Sequence, residues 1–213
     1  MKTLEKYGIK IENKELLTEA LTHSSYINEH GGVCYERLEF LGDAVLELVF
    51  SDYIYKTTND SEGVMSYQRS HYVCENALCE YAKNINLKDY ILMGNSMKEA
   101  NKTIIADVFE AIIAVIYLEC GIDKVKLLFD QIIVPYIEKG VDFINDYKSL
   151  LQKSIQSVKK DIKYVVVEDS GSAQEKYYKV DVIIDGIVYG TGEGKSKKEA
   201  EQKAAENAYN KKV

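Results

Sequence analysis

Hydrophobic and polar residues follow different patterns in the two halves of the chain. Up to about residue 140 the apolar residues recur at helical spacing, and no alternation typical of strands is present. After residue 147 one amphipathic helical segment precedes three short stretches rich in β-branched and aromatic residues, which favour strands: IKYVVVED, KYYKVDVII and IVYGTG. A last helical segment, KKEAEQKAAENAYNKK, follows them. The sequence predicts a multidomain α and α+β protein, in which an all-α domain is followed by a small α-β-β-β-α domain.

Local signals support the predicted elements of the second domain. The dipeptide Asp185-Gly186 separates the second and third strands, and it favours a two-residue hairpin. Ser196 and Glu199 have the spacing of a capping box at the start of the final helix.

The boundaries of the first domain follow from its helical segments. LLTEALTHSSYI predicts an early amphipathic helix, and Pro135, the only proline, is expected to kink or interrupt the last one. Residues 141–148 join the halves without a linker rich in glycine or proline. We place the domains at residues 1–142 and 146–213.

Two long segments of the first domain are apolar nearly all round, which is typical of buried helices. They are YERLEFLGDAVLELVFSDYIY, residues 35–55, and TIIADVFEAIIAVIYLEC, residues 103–120. Each carries acidic residues at spacings of three or four, which place them on one helical face. These acids are Glu36, Glu39, Asp43 and Glu47 in the first segment, and Asp107 and Glu110 in the second.

Two such helices can bring their carboxylates together at one site. A site with only oxygen ligands suits Mg²⁺ or Mn²⁺ better than zinc. A solvated acidic face or an intrahelical ion pair is the simpler alternative for either pair alone. Arg37 is the only basic residue in the first segment and the second has none, so we favour the metal site.

Composition and length limit the class of protein. The 213 residues are 46% hydrophobic, enough for a core and for two domains. No uncharged apolar run reaches the roughly 18 residues of a membrane-spanning helix, and the first residues lack the apolar core of a signal peptide. We expect a cytoplasmic protein with no membrane partner.

The cysteines and histidines show no spacing typical of a metal site. We expect the cysteines to be reduced thiols and the histidines to have structural hydrogen bonds. They are Cys34, Cys74, Cys79 and Cys120, and His23, His30 and His71.

Charge is distributed unevenly between the halves. The net charge of −7 argues against a nucleic-acid partner for the chain as a whole. Residues 147–213, however, hold 13 Lys against 10 Asp and Glu, and residues 1–146 hold 14 Lys and Arg against 24 Asp and Glu. This asymmetry suggests a phosphate-binding domain joined to an acidic domain that needs metal ions near phosphate.

Three lysines lie around the start of the final helix, at positions 195, 197 and 198. The helix dipole disfavours cations there, whereas an anion is held by both the free N–H groups and the ammonium groups. Lys195, Lys197 and Lys198 therefore indicate phosphate binding. A solvated basic patch is the alternative.

Several of these motifs resemble known families. ERLEFLGDAVL and IIADVFEAIIAVIYLE resemble the signature and the second acidic helix of the ribonuclease III family, and LTEALTHSSYINE resembles its opening helix. GEGKSKKEAEQKAAENA resembles the double-stranded RNA-binding domain, and that resemblance covers residues 146–213.

The resemblance implies a homodimeric endoribonuclease that cuts double-stranded RNA with Mg²⁺, for which Mn²⁺ can substitute, in the processing of ribosomal and messenger RNA. It implies products with 5′-phosphates, 3′-hydroxyls and two-nucleotide 3′ overhangs. Asp43 and Glu110 would be the catalytic residues, and Glu36 would lie at the rim. The implied metal ligands are Glu39, Asp43, Asp107 and Glu110. The implied RNA-binding residues are Gln152, Gln156 and Gln174, with Lys195, Lys197 and Lys198.

The sequence departs from the family pattern at a few positions. Tyr35 stands where asparagine is usual, and Ser172 and Gln174 replace the usual proline and histidine of an RNA-binding loop. None of these changes removes one of the four acids. A non-cleaving protein that binds double-stranded RNA is the alternative function, and loss of an acid would have favoured it.

Overall fold

The computed structural model describes residues 1–144, 147–156, 161–171 and 176–211, without the side chains of residues 153, 154 and 156. The chain forms two compact units, Met1–Ile144 and Asn145–Val213. The predicted fold class is confirmed, because the first unit is helical and the second has three strands and two helices. The predicted boundaries at 142 and 146 stay predictions.

Helices form the described part of the first unit. They are α1 (Lys2–Glu5), α2 (Lys14–Leu21), α3 (Ser24–His30), α4 (Glu36–Thr57), α5 (Glu62–Tyr72), α6 (Glu75–Asn84), a 3₁₀ helix (Leu87–Tyr90), α7 (Lys102–Cys120), α8 (Ile122–Ile132) and α9 (Val134–Glu138). Helix α7 is central: its residues 111–116 are all buried, and α2, α4, α6 and α8 pack around it.

The closest approach in this unit is between α4 and α7. A Cβ added to Gly42 would lie 1.8 Å from the carbonyl oxygen of Glu110. Only a residue without a side chain allows the two backbones to come this close. Gly42 therefore determines the separation of the two acidic helices.

The early helix expected over LLTEALTHSSYI is two helices, so this expectation was wrong. Thr22 has extended dihedrals and forms a β-bridge with Leu92, which ends α2. His23 then caps α3, because its Nδ1 accepts from the backbone N–H of Ser25 at 3.1 Å. The bridge joins residues far apart in sequence, so helical spacing alone could not reveal it. The expected interruption at Pro135 is confirmed, since α8 ends at Ile132 and α9 starts beside the proline.

The burial expected for α4 is correct for only part of its circumference. Phe40, Leu48 and Tyr55 are 82%, 62% and 75% exposed, and Ala44 between them is also exposed. The opposite side of the helix packs against α7 at Gly42, and Leu48 and Tyr55 line a groove beside Met65 and Arg69 of α5. We call Phe40, Ala44, Leu48 and Tyr55 the α4 apolar stripe.

The second unit is an antiparallel sheet covered by two helices. Its elements are α10 (Tyr147–Gln156), β1 (Ile162–Gly171), β2 (Lys176–Ile184), β3 (Ile187–Gly194) and α11 (Lys197–Asn210), and the strand order is β1-β2-β3. The core residues are Leu151 and Ile155 of α10, Val180, Val182 and Ile184 of β2, and Ala200, Ala204, Ala205 and Ala208 of α11. Small residues let α11 lie close against β3.

The predicted hairpin and capping box are confirmed. Asp185 and Gly186 both have positive φ, +49° and +84°, as a tight hairpin between β2 and β3 requires. The Ser196 hydroxyl accepts from the backbone N–H of Glu199 at 3.2 Å, and the Glu199 carboxylate accepts from the N–H of Lys195 at 2.9 Å.

The approach of α4 to α7 predicts that Gly42→Ala destabilises the protein. The added methyl has to push the Glu110 backbone away, and we expect urea unfolding to show a loss of about 2 kcal/mol in unfolding free energy. Gly63→Ala is the matched control, because its Cβ would meet nothing within 4 Å in α5. It should raise the unfolding free energy by about 0.5 kcal/mol. Equal effects of the two substitutions would contradict the assigned role of Gly42.

Candidate active site and RNA-binding surface

The four acids implied as metal ligands lie at the interface of α4 and α7. Glu39 and Asp43 belong to α4, and Asp107 and Glu110 belong to α7. Burial, and after it the charges of Asp43, Glu39 and Asp107, together raise the pKa of Glu110 to about 8. The structure thus brings the four carboxylates into one repulsive cluster.

Burial and charge repulsion also raise the pKa of other acids in the cluster. Burial raises the pKa of Glu39, and repulsion from Asp107, Glu36 and Asp43 adds to it. Burial also raises the pKa of Asp107, while a hydrogen bond from the Tyr35 hydroxyl to its Oδ2, 3.2 Å long, opposes that rise. The ionised form of each of these two carboxylates is therefore destabilised at its position.

Further acids lie at the edge of the cluster. Glu36 is exposed at the start of α4, and Glu47 adds to the repulsion on Glu110. Glu75 of α6 acts on Asp107 and accepts a hydrogen bond from Thr103 at 2.8 Å. Glu75 was not predicted from the sequence. It lies outside the two acidic segments, and only the packing of α6 against α7 brings it close to Asp107.

Cations do not neutralise these acids. Among the described residues, no Lys or Arg forms an ion pair with the acids of the cluster. His23 is near enough to Asp107 to favour its charged form. Glu39, Asp107 and Glu110 are partly buried and Asp43 is exposed. An uncompensated group of carboxylates in such a position is typical of a functional site, since it costs stability that folding alone would avoid.

The donor chemistry of the cluster fits a hard divalent cation, because every candidate ligand is a carboxylate oxygen. Over the ranges that the structure describes, however, no three His, Cys, Asp or Glu side chains are already gathered as a metal site. One ion shared by these carboxylates would require them to lie closer together than they do here.

The three lysines around the start of α11 lie at the surface of the second unit. Lys195, Lys197 and Lys198 are all exposed around the start of α11. None of the described side chains forms an ion pair with them, whereas Lys203 of the same helix pairs with Glu199 at 2.8 Å. Their charges are therefore available to an external anion.

The predicted RNA-binding glutamines can be located only in part. Gln152 is exposed on α10. Gln156 belongs to the same helix, but its side chain lies outside the described residues. Gln174 and the substituted Ser172 also lie outside them.

The remaining expectations on cysteine and histidine agree with the structure. All four cysteines are free thiols. Each histidine has a hydrogen-bond partner: His23 with Ser25, His30 with the Tyr26 carbonyl, and His71 with the Phe143 N–H. Among the described helices, none is both long and apolar enough to cross a bilayer.

Comparison with known proteins matches both units. Residues 13–137 fit the family model described as ribonuclease-III-like, and residues 147–212 fit the model of the double-stranded RNA binding motif. Ribonuclease 3 of Onion yellows phytoplasma (strain OY-M) is 43% identical over 209 residues, covering 96% of this chain and 87% of the relative. Ribonuclease 3 of Listeria monocytogenes serovar 1/2a is 42% identical over 217 residues, covering 97% and 95%.

Solved structures agree with these matches. The nuclease domain of ribonuclease III from Campylobacter jejuni, described as flexible in a region involved in dimer formation, has a TM-score of 0.57 and 36% identity. The similarity covers 62% of this chain and 94% of that domain. The resemblance found in the sequence is confirmed over both units. The chain therefore belongs to the ribonuclease III family, the endoribonucleases that act on double-stranded RNA.

Proposed function

We propose that this endoribonuclease cleaves double-stranded RNA with Mg²⁺, for which Mn²⁺ can substitute. The products would carry 5′-phosphates and 3′-hydroxyls with two-nucleotide 3′ overhangs. The observation that carries the proposal is the uncompensated carboxylate cluster between α4 and α7, centred on the partly buried Glu110. Family membership points to a divalent metal cofactor, and oxygen-only ligands favour magnesium over softer metals.

The four acids take distinct parts in this proposal. Glu39, Asp43, Asp107 and Glu110 hold the cation, and Asp43 and Glu110 are the catalytic residues. A bound divalent ion supplies an activated water and stabilises the charge that develops on the phosphate oxygens. Glu110 has to release its proton to bind the ion, because a ligating carboxylate is ionised. Glu36 borders the site at its exposed rim.

The second unit supplies the affinity for duplex RNA. We assign residues 1–142 to the nuclease domain and residues 146–213 to the RNA-binding domain. The exposed lysines of α11 would contact phosphates across a groove, and Gln152, Gln156 and Gln174 would contact the minor groove and its 2′-hydroxyls. Recognition of this kind reads the A-form shape with little dependence on sequence. It suits the processing of ribosomal and messenger RNA in the cytoplasm, where free thiols persist.

A homodimer accounts for the α4 apolar stripe. Phe40 alone leaves 82% of its surface in water, and Leu48 and Tyr55 extend the apolar surface along the helix. A contiguous patch of this type marks an interaction surface. A second copy related by twofold symmetry would cover both stripes at once. Two active sites in such a dimer would cut the two strands at offset positions.

Cleavage of a long RNA duplex with Mg²⁺ tests the proposed catalytic role of Glu110. Glu110→Gln should lower the single-turnover rate at least about 10³-fold, since the metal ion contributes several kcal/mol to transition-state stabilisation. The variant should still bind the duplex. Glu138→Gln, on exposed helix α9, is the matched control and should cleave as the wild type does. A wild type that binds duplex RNA but leaves it whole would favour the non-cleaving alternative.

The raised pKa of Glu110 predicts a pH-dependent stability of the metal-free protein. Its pKa is about 8 in the folded protein, against a usual value of 4.5. The folded state therefore binds more protons between these values, and this contribution to stability is full below pH 4.5 and lost as pH rises through 8. Urea unfolding in EDTA should show a steeper decline over this window for the wild type than for Glu110→Gln. Parallel pH profiles would contradict the buried position of Glu110.

Salt dependence of duplex binding tests the lysines of α11. Replacing Lys195, Lys197 and Lys198 with Gln should reduce the slope of log K against log salt by up to about 3, roughly one unit for each lost phosphate contact. The matched control is Lys163→Gln, at an exposed lysine of β1 that pairs with Asp161 at 2.9 Å. It should change the slope little. Equal slopes for all three proteins would place the phosphate contacts elsewhere.

Sedimentation equilibrium tests the homodimer. Phe40→Glu should shift the protein from dimer to monomer, because a charge at the most exposed residue of the α4 apolar stripe has to be buried without a partner. Leu118→Glu, at a 52% exposed leucine of α7, is the matched control and should remain dimeric. A wild type that is monomeric at all concentrations would contradict the proposal.

A further inference from the structure

Tyr35 links the start of α4 to the acidic face of α7. It directly precedes α4 and is only 4% exposed. Its hydroxyl donates to Oδ2 of Asp107, 72 residues further along the chain, at 3.2 Å. Its ring also lies beside that of His23, with the ring centroids 5.9 Å apart. The phenol is therefore a buried donor whose acceptor is a member of the carboxylate cluster.

The choice of acceptor is unusual for a buried tyrosine. A buried hydroxyl needs one hydrogen-bond partner, and a backbone carbonyl is sufficient. Tyr81, which is fully buried in the same unit, uses the carbonyl oxygen of Tyr72 at 3.0 Å. Tyr35 instead donates to the carboxylate of Asp107. Burial and the charge of Glu75 destabilise the ionised form of that carboxylate.

Two consequences follow for Asp107. The bond fixes the orientation of its carboxylate, since Oδ2 is held at the phenol while Oδ1 takes no part in the bond. Donation to an ionised carboxylate also stabilises the charge that a cation needs.

We propose that Tyr35 is a positioning residue that orients Asp107 for the divalent cation. The proposal rests on the proposed role of Asp107 as a metal ligand. Hydrogen-bond partners of ligating carboxylates orient the ligand, and their loss typically costs about 10- to 100-fold in metal affinity. This role belongs to the residue at which the chain departs from the asparagine usual in its family.

Asparagine at this position could not form the same bond. Its side chain is shorter than the tyrosine ring, so its amide cannot reach the place of the phenolic oxygen. The hydroxyl of Tyr35 thus gives this chain a direct link between the entrance of α4 and Asp107.

The proposal is tested by the binding of Mn²⁺ to the full-length protein without RNA. Binding is measured from the electron paramagnetic resonance signal of free Mn²⁺. Tyr35→Phe keeps the ring and removes only the hydroxyl, and we expect it to weaken binding about 10-fold. Tyr81→Phe is the matched control. It also removes one buried hydroxyl, but that hydroxyl donates to the carbonyl oxygen of Tyr72 and not to a carboxylate. It should bind Mn²⁺ as the wild type does, even where its melting temperature falls.

Cleavage gives a second measurement of the same role. The Mg²⁺ concentration for half-maximal cleavage should rise in Tyr35→Phe, in parallel with its loss of Mn²⁺ affinity, and should stay unchanged in Tyr81→Phe.

The possible outcomes distinguish the positioning role of Tyr35 from the proposed metal site on which it rests. Equal Mn²⁺ binding by wild type and Tyr35→Phe, or equal losses in Tyr35→Phe and Tyr81→Phe, would overturn the positioning role alone. If the wild type binds no Mn²⁺, the metal site itself is overturned, and the role of Tyr35 with it.

Discussion

The contact between the backbones of α4 and α7 at Gly42 is the constraint on which the nuclease unit depends. The Glu110 carbonyl occupies the space that any side chain at position 42 would need. Because the two helices come so close, the acids at this contact and one turn before it lie near enough to repel one another. Their repulsion and burial follow from the backbone geometry. The site is therefore a property of the helix pair, and the surrounding helices serve mainly to hold α7 in the core.

Stability and function oppose each other in this cluster. Folding alone would place carboxylates of this kind in water or beside lysines, as Asp52 is placed between Lys56 and Lys126. The acids between α4 and α7 instead face one another, and the hydrophobic core of α7 offsets the cost. A cation relieves the repulsion when it binds. The binding free energy of the cation thus includes the electrostatic penalty that the metal-free protein carries.

Much of this arrangement could be predicted from the sequence, and the reasons are local. The period of the apolar residues located α4 and α7, and the spacing of their acids predicted one shared face. The hairpin at Asp185-Gly186 and the capping box at Ser196 are also short-range signals. The break at Thr22, the proximity of Glu75 and the bond from Tyr35 to Asp107 join residues far apart in sequence. Single-chain periodicity contains no information on such contacts, nor on the exposure of Phe40, which depends on what packs around α4.

The order of elements in the RNA-binding unit has a consequence during synthesis. Its strands are neighbours in sequence, so the sheet closes only short loops and can form quickly. The apolar residues of β2 nevertheless pack against α11, and α11 follows all three strands in sequence. They therefore stay partly exposed until α11 has been synthesised. Domains fold as units and the earlier one folds first as the chain emerges. A nascent chain therefore completes its nuclease unit before α11 can cover the sheet of the second unit.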